Sequence, residues 1–247
     1  MIKKQPVPVY PMPRKTTPFL LGVTLPELLV TLAIACLLMM ILSNWVLYLY
    51  RQQEQRQQQL QLQQAVHSAL QLMSKDLRRS GYHFPKSQHN LLLFQWQKRS
   101  LTLNLPKQDY YQCAMFFYDL NKDGCIGNQN SNTACTIGAQ NNSQNIQKEL
   151  FGYRLAAGNL EMLFMFAGTI NENCTTANCQ RHINNPSCYS KGWSKFFDQR
   201  YMVRELAFRW LAEQRGLSIG LTVSLRSEPT LSYQATALVP LLNEVAE

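Results

Sequence analysis

The stretch VTLPELLVTLAIACLLMMILSNWVLYLY, residues 23–50, decides the fold class of this 247-residue chain. It carries one charged side chain, the carboxylate of Glu27. Roughly 20 apolar residues are enough for a helix to cross the hydrocarbon core of a bilayer. Trp45, Tyr48 and Tyr50 gather at the far end, and such rings favour the membrane–water interface. The stretch therefore predicts one transmembrane helix over residues 23–50.

Residues 1–22, which precede this helix, form a basic leader. The leader contains Lys3, Lys4, Arg14 and Lys15 and no acidic residue, and basic residues that flank a membrane span stay on the cytoplasmic side. Its prolines disfavour a helix. We expect an extended cytoplasmic leader, a single span, and a C-terminal head in the periplasm.

Two other kinds of N-terminal segment fit this pattern less well. A secretory signal peptide has an apolar region about half this length, and small residues follow it at the cleavage site. An ordinary signal anchor fits the length but gives no reason for Glu27, since a charge in a membrane helix is costly unless it is paired. A cut between Gly22 and Val23 would create a cationic α-amino group close to Glu27 in sequence. Identical subunits packed side by side could then pair the two groups.

The segment KTTPFLLGVTLPELLV, which begins at Lys15, resembles the class III signal of type IV prepilins. In that family a basic leader ends in glycine, and glutamate stands at the fifth position of the mature chain. Gly22 matches that glycine and Glu27 matches that glutamate, whereas Val23 stands where phenylalanine is usual. The resemblance implies cleavage after Gly22 by prepilin peptidase, N-methylation of Val23, and assembly through Glu27.

Residues 51–80 are predicted to continue the same helix into the periplasm. Their first part is rich in glutamine and polar nearly all round, and Gly81 is placed to end the helix. The apolar residues that follow suit one stripe facing a core. The predicted stripe is Leu60, Val66, Leu70, Met73 and Leu77.

Residues 81–247 show the short apolar runs of β-strands. We predict two hairpins, Leu91–Trp96 with Leu101–Leu105 and Phe151–Leu155 with Leu160–Phe164. A final set of three strands closes the chain. A long helix followed by many strands indicates an α+β fold with a mainly antiparallel sheet, which is the architecture of type IV pilins.

Four short motifs in the head give a narrower resemblance. Together with the three-strand finish, they resemble minor pilins called prepilin peptidase-dependent protein B, relatives of the J-type minor pseudopilins of type II secretion. The motifs are YDLNKDG at 118–124, FGYRL at 151–155, GNLEML at 158–163 and CYSKGW at 188–193.

Six of the seven cysteines follow the span, and Cys36 lies within it. An even number in one compartment indicates disulfides and an oxidising location. Six cysteines allow fifteen pairings, so their positions alone leave the connectivity open. The family resemblance implies the pair Cys113–Cys188. The other four cysteines would then close two local loops, Cys125–Cys135 and Cys174–Cys179.

Asp119, Asn121 and Asp123 match the first half of a calcium-binding loop, D-x-N-x-D-G. The twelfth position, which should be a bidentate glutamate, is Asn130. Two interpretations stay open: a calcium-stabilised loop, and a turn held by its own Asp and Asn side chains. We expect that no cofactor is required.

We expect no enzymatic activity, since the chain has no G-x-S-x-G, H-E-x-x-H or P-loop motif. The formal net charge is +9, and without the four leader cations it is +5. This remaining charge could favour contact with DNA or anionic lipid. Trp193 and Trp210, with nearby Lys and Arg residues, could touch single-stranded DNA, and core packing with surface charge is the competing interpretation.

The sequence therefore predicts a minor pilin of a type IV pilus system in the bacterial inner membrane. It would help to initiate pilus assembly, with a role in competence as a further expectation. Its expected partners are other minor and major pilins, prepilin peptidase and the inner-membrane assembly platform. The alternatives are a minor pseudopilin of type II secretion and, in another class, a tip adhesin or DNA-binding module.

Overall fold

The computed structural model describes residues 22, 24–85, 89–130, 133–163, 172–184 and 188–243. The predicted leader up to residue 21, and Val23, lie outside the described residues. The chain divides into two compact units, Met1–Glu54 and Gln55–Glu247.

Helix α1 spans Leu25–Leu77. In its first part the apolar side chains are exposed, from 44% at Leu49 to 76% at Leu25. The hydroxyls of Thr31 and Ser43 donate to carbonyls of the same helix, at 2.9 and 2.7 Å, so neither needs a partner outside it. Among the described residues this is one helix long and apolar enough to cross a membrane.

The second part of α1 belongs to the head and buries a stripe of side chains. The prediction that Leu60 belongs to this stripe was wrong, because Leu60 is 59% exposed. The nearby Leu62 is buried instead. The helix ends at Leu77, and a turn leads to Gly81, whose φ of +74° suits glycine. The buried residues of the stripe are Leu62, Val66, Ala69, Leu70, Met73, Ser74 and Leu77.

The described part of the head contains ten strands, eight of which form one antiparallel sheet in the order β10-β9-β8-β2-β5-β6-β7, with β1 paired to β2. Strands β3 and β4 pair separately. The α+β architecture predicted from the sequence is confirmed. The strands are β1 Leu101–Lys107, β2 Tyr110–Phe117, β3 Thr136–Ile137, β4 Gln140–Asn141, β5 Leu150–Ala156, β6 Asn159–Leu163, β7 Trp193–Lys195, β8 Tyr201–Trp210, β9 Gly216–Leu225 and β10 Ser232–Pro240.

The described residues also include two short α-helices: α2 at Leu91–Phe94 precedes β1, and α3 at Thr176–Cys179 lies between β6 and β7. The prediction of a strand over Leu91–Trp96 was therefore wrong. Leu91 and Phe94 are both buried, and residues three apart share one face of a helical turn. The β5–β6 hairpin forms as predicted, with Ala157 and Gly158 at positive φ in its two-residue turn. Strand β6 ends at Leu163, and Phe164 lies outside the described residues.

The sheet is covered on both faces. From β2, Ala114 and Phe116 pack in the same apolar cluster as α1. Cys113, Met115 and Phe117 alternate with them and pack in a second cluster that includes α2 and the Cys174–Cys179 segment. Side chains alternate between the two faces of a strand. The consecutive residues at the end of β2 are therefore all buried because each face packs against its own apolar cluster.

Candidate functional site

Gly22, the residue predicted to precede the cleavage point, is exposed. A Cβ atom added at this position would meet no atom within 4 Å. Packing against the described residues therefore gives no reason for glycine at position 22. A requirement for glycine there would have to come from a molecule that handles the segment.

Glu27 lies in the first turn of α1 and bonds back to Thr24. Its Oε2 accepts a bond from the backbone N–H of Thr24 at 3.1 Å and one from the Thr24 hydroxyl at 3.0 Å. The carbonyl of Thr24 accepts the N–H of Leu28 at 3.2 Å. This is one half of a capping box, in which a side chain at the third helical position satisfies the backbone N–H of the N-cap residue.

Thr24 is a contributor that the sequence analysis missed. The signal was present as T-x-x-E at residues 24–27, the pattern of a capping box before an apolar run. The Glu27 carboxylate thus has a partner within its own chain. Any external cation that pairs with Glu27 adds to this contact or replaces it.

The six cysteines of the head form three disulfides in the structure. Cys113 is bonded to Cys188, 75 residues away. Cys125–Cys135 and Cys174–Cys179 close local loops of 10 and 5 residues. The first is the pair that the family resemblance implied, the other two are the local loops expected with it, and Cys36 is free.

Arg154 of the FGYRL motif brings three of the short motifs together. Its guanidinium bonds to Glu161 at 2.7 Å and 2.9 Å and donates to the carbonyl oxygen of Cys188. The same group lies over the ring of Trp193, 4.5 Å from its centroid. The side chains of Arg154 and Glu161 are only 18% and 15% exposed. Partial burial and two bonds to one oxygen make this a stronger ion pair than a typical surface pair.

Gly152, in the same motif, has a packing reason. A Cβ atom added there would lie 2.6 Å from Met115 Sδ and 2.9 Å from both the Ala114 carbonyl oxygen and the Trp193 ring. Strands β2 and β5 pair here, with Met115 opposite Gly152. Glycine at position 152 therefore leaves room for the Trp193 ring to pack on the sheet.

The predicted calcium residues form a turn closed by N–H donors. The Asp119 carboxylate accepts backbone N–H bonds from Phe84 (2.9 Å), Lys122 (2.6 Å) and Gly124 (2.9 Å). Asp123 accepts bonds from the N–H groups of residues 125 and 129 and from the Asn121 amide.

Asn121 Oδ1 accepts the N–H of Asp123 at 3.0 Å. The described residues contain no group of three or more His, Cys, Asp and Glu side chains that could hold a metal. A calcium ion would have to displace several N–H bonds, so this arrangement fits the Asx turn better. Calcium binding stays a prediction.

Glu149 is a buried carboxylate, 2% exposed, that the sequence analysis missed. It accepts backbone N–H bonds from Leu120 at 2.8 Å, Asn121 at 3.1 Å and Gly127 at 2.7 Å. Burial raises its pKa to about 7, the N–H donors oppose that rise, and the nearby Asp119 adds to it. Glu149 thus fastens the YDLNKDG loop to the start of β5. No local pattern marks it, because its partners lie more than 20 residues away.

We predict that Glu149 makes the stability of the head depend on pH. Its pKa is higher in the folded protein than in the unfolded chain, so its contribution is fully present below about pH 4.5 and is lost as pH rises through about 7. The measurement is thermal unfolding of the full chain and of Glu149→Gln from pH 5 to 8. The stability of the wild type relative to the variant should fall across this range. A difference that stays constant with pH would contradict the prediction.

Both tryptophans considered for DNA contact, and Arg209 beside them, have partners within the head. Trp193 packs against Arg154. The Arg99 guanidinium carbon lies 5.0 Å from the centroid of the Trp210 ring. Arg209 bonds to Asp109 at 3.1 Å. These contacts fit the interpretation of core packing with surface charge.

Comparison with known proteins places the head in a family. The model of the family described as prepilin peptidase-dependent protein B matches residues 55–241. An uncharacterised protein of Haemophilus influenzae is 33% identical over 190 residues, which cover 74% of this chain and 79% of that protein. No solved structure matches the chain. The family match begins after the apolar segment, so it is independent of the N-terminal signal around Gly22 and Glu27. The chain therefore belongs to the prepilin peptidase-dependent protein B family.

Proposed function

We propose that this chain is a minor pilin of a type IV pilus system, cleaved between Gly22 and Val23 by prepilin peptidase and methylated at Val23. The observation that carries the proposal is the apolar helix that begins at Leu25, three residues after Gly22, with Glu27 as its one carboxylate up to Tyr50. The family description, which names dependence on prepilin peptidase, supports it independently. The proposed role is structural and requires no catalysis by this chain.

The physical basis of assembly lies in the first turn of α1. A carboxylate at membrane depth costs about 3 kcal/mol on insertion scales, and its bonds to Thr24 leave its charge uncompensated. The α-amino group created by cleavage is a cation, and a neighbouring subunit can offer it to Glu27. Pairing the Glu27 carboxylate with this α-amino group removes part of the free-energy cost of the buried charge. It also fixes the axial register between neighbouring helices. The exposed apolar surface between Leu25 and Tyr50 would then pack against other pilins.

In this proposal the subunit joins other minor and major pilins at the inner-membrane assembly platform, with its head in the periplasm, and helps to initiate the filament. The three disulfides support the periplasmic placement, since disulfides persist in oxidising compartments. A pseudopilin of type II secretion would use the same contacts, so the cellular readout has to include both piliation and protein secretion.

The test is the mass and N-terminal sequence of the protein from cells with and without prepilin peptidase. We expect a chain that starts at methylated Val23 when the peptidase is present and one that keeps residues 1–22 when it is absent. A chain that keeps the leader in both strains would overturn the proposal and leave an ordinary signal anchor.

A further inference from the structure

A cleft of about 280 Å³ opens beside strand β1. We call it the β1 cleft. Its walls come from the α2–β1 connection, strand β1, and the starts or ends of β2 and β8, and they include Trp96, Arg99, Thr102, Asn104, Tyr111 and Trp210. It belongs entirely to the unit Gln55–Glu247, at a distance in sequence from the residues proposed for assembly.

Two largely buried polar side chains form one wall of the β1 cleft. Thr102 is 7% exposed and Asn104 is 9% exposed. The Asn104 amide nitrogen donates to Thr102 Oγ1 at 3.0 Å and to the Ile183 carbonyl oxygen at 3.1 Å. Within the described part of the chain, Asn104 Oδ1 accepts no bond. It is therefore an acceptor available to a hydroxyl or amide donor in the cleft.

Aromatic rings form another part of the wall. Trp96 is 41% exposed, and Tyr111 and Trp210 are half-buried. Arg99 covers Trp210 and donates to the Gln214 carbonyl oxygen at 2.9 Å. Arg99 is thus held in place, and the Trp96 ring stays available to an incoming ligand.

The backbone around the cleft is strained. Gln97, Lys98 and Gln214 adopt φ values of +49°, +61° and +52°, a region that costs residues with a Cβ about 1–2 kcal/mol each. Glycine would relieve this cost, and none stands at these three positions. At Gln97 and Lys98 these values belong to the two-residue turn that Trp96 and Arg99 close, and this turn positions both side chains beside the cleft.

We propose that the β1 cleft binds a neutral sugar unit of a glycan. A sugar ring has an apolar face that packs on an aromatic ring, here Trp96, and hydroxyl groups that donate to an acceptor, here Asn104 Oδ1. The Thr102 hydroxyl already donates to the Ile183 carbonyl and holds Asn104 in place. The volume is near the lower end of known ligand sites and suits a small saccharide.

The charge of the walls argues against nucleic acid. Single-stranded DNA needs a groove in which several cations follow the phosphates. The described residues that line the β1 cleft include one charged side chain, Arg99, and it already bonds to the Gln214 carbonyl. Neutral amide, hydroxyl and aromatic groups dominate instead.

The test uses the full chain, purified in a zwitterionic detergent because sugar headgroups of maltoside detergents would compete. Binding to an array of short neutral saccharides is measured, with oligothymidine as a parallel probe. The best saccharide is then titrated against wild type, Trp96→Ala and the control Tyr189→Ala, whose ring is 70% exposed outside the cleft. Trp96→Ala should weaken binding about tenfold or more, and Tyr189→Ala should leave it unchanged.

Each other outcome overturns the proposal. The absence of saccharide binding by a folded wild type removes it, as does equal binding by Trp96→Ala. Binding of oligothymidine that is lost in Trp96→Ala, without saccharide binding, would make the cleft a site for single-stranded nucleic acid.

Discussion

Replacing Glu27 with glutamine should leave the protein in the membrane and largely remove it from assembled pili. Glutamine keeps an oxygen that can accept the Thr24 N–H, so the start of α1 is preserved. It loses the negative charge, so a neighbouring α-amino group has no counter-ion. Since the charge is worth about 3 kcal/mol at membrane depth, we expect incorporation to fall on the order of 100-fold. The measurement is the amount of subunit in sheared pili relative to the membrane fraction.

Two further variants separate the charge from the cap. Glu27→Ala removes both, and Glu54→Gln makes the same chemical change at an exposed position of the same helix. We expect Glu27→Ala to fail like Glu27→Gln, and Glu54→Gln to assemble normally. Normal incorporation of Glu27→Gln beside failure of Glu27→Ala would show that the bonds to Thr24 matter and that the charge pair does not.

Removing the Cys113–Cys188 disulfide should lower the free energy of unfolding of the head more than removing either of the other two disulfides. The bridge closes a loop of 75 residues. Without it the unfolded chain gains conformational entropy, and in the chain-entropy model this lowers the free energy of unfolding by about 4.5 kcal/mol. Cys188 also offers its backbone carbonyl oxygen to Arg154, a bond that serine at this position keeps. The experiment replaces both cysteines with serine, which leaves no unpaired thiol, and measures chemical unfolding of the full chain in detergent.

The matched control is the double serine variant of Cys174 and Cys179. That bridge spans 5 residues, for which the same model gives about 2 kcal/mol. Both pairs are buried, so the comparison varies mainly the length of the loop. An equal or larger loss in the Cys174–Cys179 variant would contradict the explanation through loop length.

The family resemblance in the head has a physical meaning once the contacts are known. Gly152 makes room for the Trp193 ring, Arg154 covers that ring and bonds to Glu161, and Cys188 joins the same segment to β2. Two neighbouring motifs and a third one further along the chain are thus one packed unit. This explains how short motifs could identify the family without stating a function for any of their residues.

Several features follow from the sequence by itself because their causes are local. The apolar length of residues 23–50 predicts a span, and the T-x-x-E pattern at Thr24 contains the information for a helix cap. The β5–β6 hairpin depends on a two-residue turn with glycine at residue 158. In each case the interacting residues are neighbours in the chain, so hydropathy, caps and turns determine them.

Other features were decided only by the tertiary structure. Leu91–Phe94 became a helix and Leu60 stayed exposed, because the surfaces that meet across the core decide which apolar residues are buried. Glu149 holds a loop through N–H donors from distant residues, and the β1 cleft forms where β1, β2 and β8 come together. The side-chain pattern of a segment determines how much apolar surface it must bury. Only the tertiary structure determines which other segments cover that surface.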